Sequence, residues 1–350
     1  MIPTRHIVIQ EQQLRKLNED VWSKQFVNGV LISKGKRVPI KVRYRGGHTR
    51  EYEKKSYEIV CEGKTYHLNA EYDDPSMIRN ALSFRFFQRI GVPSPQTKHF
   101  ELVLNGQSQG VYLEIEAVDK NFFRQRRISA QSLFYAVDDD ANFELFYPET
   151  KRNKKSMFEG YEQIMGLSTE RKELCTFISK INKLSGKPLA QYLQSYLDID
   201  NYLRWLAGAV FTGNFDGFDQ NYAIYRHKRT KLYRIIPWDY EGTWGRNCYG
   251  KVCSSDLVRV KGYNGLTEKL MSFKSVRIRY KQILTSILRT SFTRKQISPM
   301  IGHLHGTIAP YMLNDYNRKW PYSEFRGEPE LIMNYMKERR EIIKKEMKKL

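Results

Sequence analysis

Thr212-Gly-Asn-Phe-Asp216-Gly-Phe-Asp219-Gln-Asn221-Tyr-Ala-Ile-Tyr-Arg226, then a polar turn at His227 to Lys231, then Leu232-Tyr-Arg-Ile-Ile-Pro-Trp-Asp239-Tyr-Glu241-Gly-Thr-Trp244, is the stretch on which the reading turns. Two short strand-like runs, Tyr222 to Arg226 and Leu232 to Ile236, lie between Asn221 and Asp239, and their spacing predicts one hairpin. A hairpin returns its two ends to one place. Asp216 and Asn221 at its start and Asp239 at its end are therefore expected to converge. A carboxylate facing an amide oxygen suits a hard divalent cation such as Mg2+. A second carboxylate near an acceptor hydroxyl can take or orient its proton.

Immediately upstream, Leu203, Leu206, Ala207 and Val210 share one face of a predicted helix over Asp200 to Phe211, with Asp200 as its cap. A helix, a loop carrying Asp-x4-Asn, a hairpin and a further Asp follow the order of roles in the kinase catalytic loop and its metal-binding Asp. On that analogy Asp216 is the candidate base, and Asn221 and Asp239 hold metal against ATP phosphates. Asp, Asn and Gly are common in turns and an isolated Asp-x4-Asn arises by chance. The weight comes from the helix, the hairpin spacing and the order of the lobes. Roles for Asp219 and Glu241 stay open.

Toward the N-terminus the pattern is strand-like: 29–33, 38–44 and 56–60, separated by Gly- and Lys-rich turns. A helical period follows, with Met77, Leu82, Phe86 and Ile90 after Asp74-Pro75. Residues 100–104 and 110–116 flank Asn105-Gly106, a strong hairpin signal because Asn-Gly supplies the positive φ angles of a tight turn. Beyond Asp119 the chain reads as mainly helical: 173–184, 189–197, 200–211, and a last helix from Glu330 to Leu350 with Ile332, Met336, Ile343 and Met347 in a stripe under a basic face. The expectation is an α+β chain: a β-rich N-terminal lobe with one helix at 1–118 and a larger helical lobe at 119–350 carrying the catalytic loop, a single catalytic unit.

The 350 residues carry 59 Lys plus Arg against 38 Asp plus Glu, a formal charge of +21, so an anion matters to this protein. Nucleic acid, anionic membrane, nucleotide phosphates and acidic or phosphorylated proteins all qualify on charge alone. No apolar run approaches the roughly 20 residues of a spanning helix. Met1 to Gln10 lacks the apolar core of a secretory signal, which leads to the expectation of a soluble protein retained in its cell. Cys61, Cys175, Cys248 and Cys253 are too scattered for a disulfide framework and read as free thiols; Cys248 and Cys253 lack the second ligand pair a zinc site needs.

A second cluster, Lys41-Val-Arg43-Tyr-Arg45-Gly-Gly-His48-Thr-Arg50 followed by Lys54-Lys55-Ser-Tyr57, alternates cations on a strand and has two glycines that let backbone approach a phosphate. It suits nucleotide phosphates as well as it suits a basic sheet surface or an acidic partner. Lys55, at a strand entrance, is the choice for the phosphate-binding lysine. Gly-x-Gly-x-x-Gly, His-Arg-Asp and Asp-Phe-Gly are absent, which excludes a standard protein kinase at motif level. Two rivals remain: a metal-dependent nuclease, since paired carboxylates on a basic surface also describe one, and a non-catalytic assembly scaffold.

Arg43-Tyr-Arg45-Gly-Gly-His-Thr, Lys54-Lys-Ser-Tyr57, Asn105-Gly with Gly110-Val-Tyr-Leu-Glu-Ile-Glu116, Asn214-Phe-Asp216-Gly-Phe-Asp-Gln-Asn221-Tyr and Pro237-Trp-Asp239-Tyr-Glu-Gly-Thr-Trp-Gly245 occur in order along residues 43–245. Taken together they resemble the CotH-type spore coat protein H kinases of spore-forming bacteria. The resemblance implies an atypical protein kinase fold, ATP with Mg2+, autophosphorylation, and transfer to Ser residues of basic Ser/Lys/Arg-rich coat proteins in the cytoplasm of the spore-forming cell and then in the spore coat. It implies neither membrane insertion nor nucleic acid as the partner. The family's catalytic and metal carboxylates fall on Asp216 and Asp239, with Asn221 beside them, and Lys55, Arg45 and Glu116 are assigned to ATP.

Overall fold

The computed structural model of the chain describes residues 1–33 and 35–350; Lys34, in the turn read between the first two strands, lies outside them. The described residues form two compact units that exchange chain segments: 1–82, 95–117 and 299–330 make the first, and 83–94, 118–298 and 331–350 the second.

The first unit holds β1 (Thr4–Val8), α1 (Glu11–Glu19), β2 (Val27–Ser33), β3 (Lys36–Tyr44), β4 (Tyr57–Cys61) and β5 (Lys64–Asn69), then the start of α2 (Arg79–Arg89), whose residues from Ser83 on belong to the second unit, and then β6 (Thr97–Leu104) and β7 (Gln107–Glu116). The strands close into a barrel in the order β1-β2-β3-β4-β5-β7-β6. Closure leaves no free sheet edge. Its inward positions alternate along each strand, and Val42, Ile59, Leu68, Phe100, Leu102 and Tyr112 fill the interior without solvent exposure. At Asn105 (φ 49°) and Gly106 (φ 83°) the predicted tight turn joins β6 to β7. The α2 start also follows expectation, since Asp74 accepts from the backbone N–H groups of Ser76 (2.8 Å) and Arg79 (2.9 Å).

Two features correct the reading of an antiparallel sheet with one helix. The barrel is closed by β1 running parallel to β6, and α1 is an additional helix. Only Leu14 and Leu17 are apolar in Glu11–Glu19, and β1 is five residues long with Arg5 and His6 in it. Neither leaves a periodic signal long enough to read.

The second unit contains α3 (Lys120–Gln125), β8 (Ala130–Ala136), β9 (Tyr161–Met165), α4 (Ser168–Lys183), α5 (Gly186–Tyr196), α6 (Ile199–Thr212), β10 (Tyr222–His227), β11 (Tyr233–Pro237), α7 (Gly265–Ser272) and α8 (Lys274–Thr290); α9 (Arg294–Met312) and α10 (Tyr322–Glu346) each contribute to both units. A four-stranded antiparallel sheet in the order β11-β10-β8-β9 stands where a mainly helical region was expected. Short apolar runs such as 130–136 do not distinguish a strand from a buried helix segment, and β9 has too few apolar positions to announce itself. Every residue of β10 is buried, so it shows no alternation. Leu133, Ala223, Tyr225 and Ile236 pack with Val118, Phe122 and Phe123 to form a core on the sheet.

On α6 the predicted apolar face is fully buried at Leu203, Leu206, Ala207 and Val210. Its cap is Asp198, which accepts from the Asn201 N–H at 3.0 Å. Asp200 instead lies in the first turn and pairs with Arg279 on α8. The helix expected at 330–350 begins earlier, as α10, and ends in a 3-10 turn at Met347–Lys349. Ile332, Met336 and Ile343 of its stripe are buried, and Met347 is only partly so. No helix among the described residues is long and apolar enough to cross a membrane.

Candidate active site

The C-terminal end of α6 delivers the catalytic-loop candidate, and that end is held firmly. Arg339, fully buried on α10, donates from Nε to the Val210 carbonyl (2.8 Å) and from Nη1 to the Ser255 carbonyl (3.0 Å), while the Tyr335 hydroxyl donates to the Phe211 carbonyl (3.1 Å). The bonds to Val210 and Phe211 satisfy carbonyls a helix end leaves open, and the cation sits at the negative end of the helix dipole. Gly213, in the left-handed region at φ 74°, closes the helix through its N–H to the Ala209 carbonyl (2.9 Å).

From there the loop runs to β10 and is tied to the segment after β11 at three points. The Trp244 N–H donates to the Thr212 carbonyl at 2.7 Å, Asn214 Nδ2 donates to the Asp239 carbonyl at 3.1 Å, and the Trp238 N–H donates to the Asn221 carbonyl at 3.1 Å. Strand register continues the last contact, with Tyr222 opposite Pro237 and Ile224 opposite Ile235. Asn221 and Asp239 thus flank the open end of the β10–β11 hairpin. Both have left-handed backbones (φ 59° and 57°), which Asn and Asp tolerate better than most residues. Both are partly exposed, and an amide oxygen and a carboxylate are hard oxygen donors of the kind Mg2+ takes.

Asp216 is partly exposed and lies near Cys248 in the Gly245–Cys253 turn, whose two arms are joined by bonds from the Asn247 N–H to the Lys251 carbonyl and from the Cys253 N–H to the Gly245 carbonyl, 2.9 Å each. Burial of the Cys248 thiol comes first, and its closeness to the Asp216 carboxylate, with Glu241 adding a smaller effect, helps push it up to about 12, so it stays protonated. All four cysteines are free.

Asp219, three residues on, is in a different environment. Burial comes first, and the charges of Asp139, Glu144 and Glu268 add to it, against a partial offset from Lys154; together they push the carboxyl up to about 6. Its Oδ1 is buried with no hydrogen-bond partner. Lys154 is itself buried and donates to the Asp140 carbonyl and to Asn142 Oδ1 (2.6 Å), which keeps its charge close to the acidic group. Asp216 and Asp219 share one short loop and have separate sets of neighbours.

The residues assigned to ATP lie in the first unit. Arg45 and Lys55 bracket the loop between β3 and β4, where the Arg45 N–H donates to the Ser56 carbonyl (3.1 Å). Arg45 bonds the Asn69 side chain, and Lys55 Nζ donates to the Arg50 carbonyl at 2.7 Å. Glu116 ends β7 and accepts from the Gln96 N–H at 3.0 Å. Asn69 pairs with Leu113 on β7 and Tyr66 pairs with Glu116, so the register sets Glu116 farther along the strand than the level of Arg45. Lys54, which the sequence reading passed over for its neighbour, is buried: Nζ donates to the Val111 carbonyl (2.8 Å) and to Asp315 Oδ2 (3.1 Å). Lys154 leaves no signal in the sequence, and Asn214 enters it only as part of the motif before Asp216. Cys248, read from the sequence with Cys253 as a free thiol, is free in the structure.

A family model described as CotH kinase protein matches residues 42–343. Inner spore coat protein H of Bacillus subtilis (strain 168) is 39% identical over 350 residues, covering 98% of this chain and 97% of that protein. The inner spore coat protein H-like protein of the same strain is 26% identical over 351 residues, with 99% of each covered. Among solved structures, the Helicobacter pylori proinflammatory kinase CtkA aligns with a TM-score of 0.35 at 12% identity over 82% of this chain and 90% of its own. The Shewanella oneidensis MR-1 toxin–antitoxin complex of HipA, HipB and operator DNA aligns with a TM-score of 0.39 at 13% identity over 95% of this chain and 71% of the other.

Proposed function

The chain belongs to the CotH kinase protein family, and from that premise we propose that it is an ATP-dependent atypical Ser/Thr protein kinase. It transfers the γ-phosphate of ATP to Ser residues of basic Ser/Lys/Arg-rich spore coat proteins, phosphorylates itself, and acts in coat assembly, first in the cytoplasm of the spore-forming cell and then in the coat. The observation that carries the reading is the tie between the Asp216–Asn221 loop and the Asp239 segment through Asn214 and Trp238.

In this reading Asp216 accepts, or orients toward itself, the proton of the attacking Ser hydroxyl. Asn221 and Asp239 hold Mg2+ through their side-chain oxygens. When bound, the ion neutralises charge on the nucleotide phosphates and so lowers the barrier to transfer. Lys55, Arg45 and Glu116 contact ATP, with 1–118 as the nucleotide-binding lobe and 119–350 as the lobe carrying the catalytic loop. Phosphate added to a Lys/Arg-rich chain lowers its positive charge and equips it to associate with a +21 protein.

The test is transfer of labelled γ-phosphate, with Mg2+, to the protein itself and to a Ser/Arg/Lys-rich peptide, comparing wild type with folded Asp239→Ala. Label on both acceptors that disappears in the variant supports the proposal. Wild type that never becomes labelled removes it and leaves a coat scaffold as the better account.

A further inference from the structure

Asn214 is nearly inaccessible to solvent, at 2% exposure, yet its carboxamide is spent on main chain: Nδ2 donates to the carbonyl of Asp239 at 3.1 Å. Because that carbonyl can only accept, the bond also decides which end of the carboxamide faces it. The Asn214 backbone is fixed in turn, with its N–H bonded to the Ala209 carbonyl of α6 at 3.1 Å. On the other side Gly217 leaves the carboxamide its room. A Cβ there would stand 2.6 Å from Nδ2 and 2.8 Å from Cγ. The carbonyl that receives the bond belongs to a residue in the sparsely populated left-handed region.

A left-handed Asp aims its side chain differently from an extended one, and it persists only where its surroundings hold it. We propose that Asn214 is a positioning residue for Asp239: by holding the Asp239 carbonyl against the end of α6, it keeps the Asp239 carboxylate turned toward the divalent cation it shares with Asn221. This rests on the metal-binding reading above. Asn214 itself touches neither metal nor substrate and works through the backbone of a residue that does. Partners that orient a metal ligand change affinity by about 10- to 100-fold when removed, and a bond to the ligand's main chain belongs at the lower end of that range.

Two variants approach the bond from opposite sides. Asn214→Ala removes the donor, and Gly217→Ala leaves Asn214 intact but pushes its carboxamide off the Asp239 carbonyl. Free Mn2+ is followed by electron paramagnetic resonance during titration of wild type, both variants and Asp239→Asn, with folding verified by circular dichroism and thermal melting. In parallel, phosphate transfer is measured against Mg2+ concentration. The expected result is Mn2+ affinity weakened about tenfold in both variants, a matching rise in half-saturating Mg2+, and a maximal rate within about threefold of wild type. A melting temperature that falls while Mn2+ affinity holds would mean that Asn214 merely stabilises the loop, and the proposal is overturned. So it is if folded Gly217→Ala binds Mn2+ as wild type does. Wild type and Asp239→Asn binding Mn2+ equally would remove the metal reading together with this inference. Mn2+ binding that responds as expected, in a protein that never transfers phosphate, would remove the kinase reading and leave the positioning role standing.

Discussion

In the barrel unit, Lys54 and Asp315 are both out of contact with water and pair at 3.1 Å, and Asp315 also accepts from the Val111 N–H (2.9 Å) and the Asn317 N–H (3.0 Å). Arg79, equally buried, meets Asp74 at 2.5 Å and Glu328 at 2.6 Å. The loop between α6 and β10 treats charge the other way. Asp219 has a buried oxygen without a donor and lies among Asp139, Glu144 and Glu268. Buried charge in folded proteins is normally paired, and exceptions concentrate where stability has been given up for function. On the proposed function, these two barrel ion pairs are structural and the loop carboxylates functional, and the contrast fails if substitutions in the two places have like effects.

The largest separation is expected for Asp216→Ala and Asp239→Ala. Phosphate transfer should fall by about 10³-fold in each, while chemical denaturation shows stability within about 1 kcal/mol of wild type, because both side chains are partly exposed. A loss of stability comparable to the loss of activity would erase the distinction. Lys54→Met is the converse experiment. It strands the Asp315 carboxylate in a dry site and should cost about 3–5 kcal/mol in denaturant unfolding.

Asp219 sharpens the comparison through pH. Its folded value is raised from 3.8 to about 6, so the folded state prefers the neutral carboxyl. The stabilisation from this preference is complete below the unfolded value, near pH 4, and is lost as pH rises through 6. Above pH 7 the charged group costs roughly 2–3 kcal/mol. Asp219→Asn, which mimics the neutral form, should therefore unfold at higher temperature than wild type at pH 7.5 and at the same temperature near pH 4. A gain that does not depend on pH would mean that the charge of Asp219 is not what destabilises the loop.

What was legible in the sequence was local. Asn105-Gly106 dictates its own turn, and Tyr222 to Pro237 carries two strand-like runs across a polar turn, so both hairpins, and with them the nearness of Asn221 to Asp239, could be read directly. Features that depend on distant segments could not. Whether β1 pairs with β6 is decided by residues nearly a hundred positions apart. Lys54 and Lys55 are neighbours of the same residue type, and only Asp315, 261 residues from Lys54, determines which of the two is buried. Asp219 is likewise defined by Lys154, Glu144 and Glu268, none of which is near it in sequence. Asp198 and Asp200 differ by two positions, and propensity alone does not separate a cap from a first-turn acid.

That last pair carries the comparison into α6, the helix that presents the loop, and the effects there are small. Asp198 accepts from the Asn201 N–H (3.0 Å) and pairs with Arg234 Nε (2.8 Å). Asp200 has only a half-exposed ion pair with Arg279. A capping hydrogen bond is worth about 1 kcal/mol, whereas an exposed ion pair typically contributes 0–1 kcal/mol and is screened by salt. Asp198→Ala should therefore lower stability by about 1 kcal/mol, and Asp198→Asn, which keeps the cap acceptor and loses only the charge, should recover most of it. Asp200→Ala should cost roughly 0.5 kcal/mol or less, a difference that disappears in 0.5 M salt. If Asp198→Asn were as damaging as Asp198→Ala, the Arg234 pair and not the cap would be anchoring the start of α6, and the loop would owe its position to β11, which carries Arg234, more than to the helix.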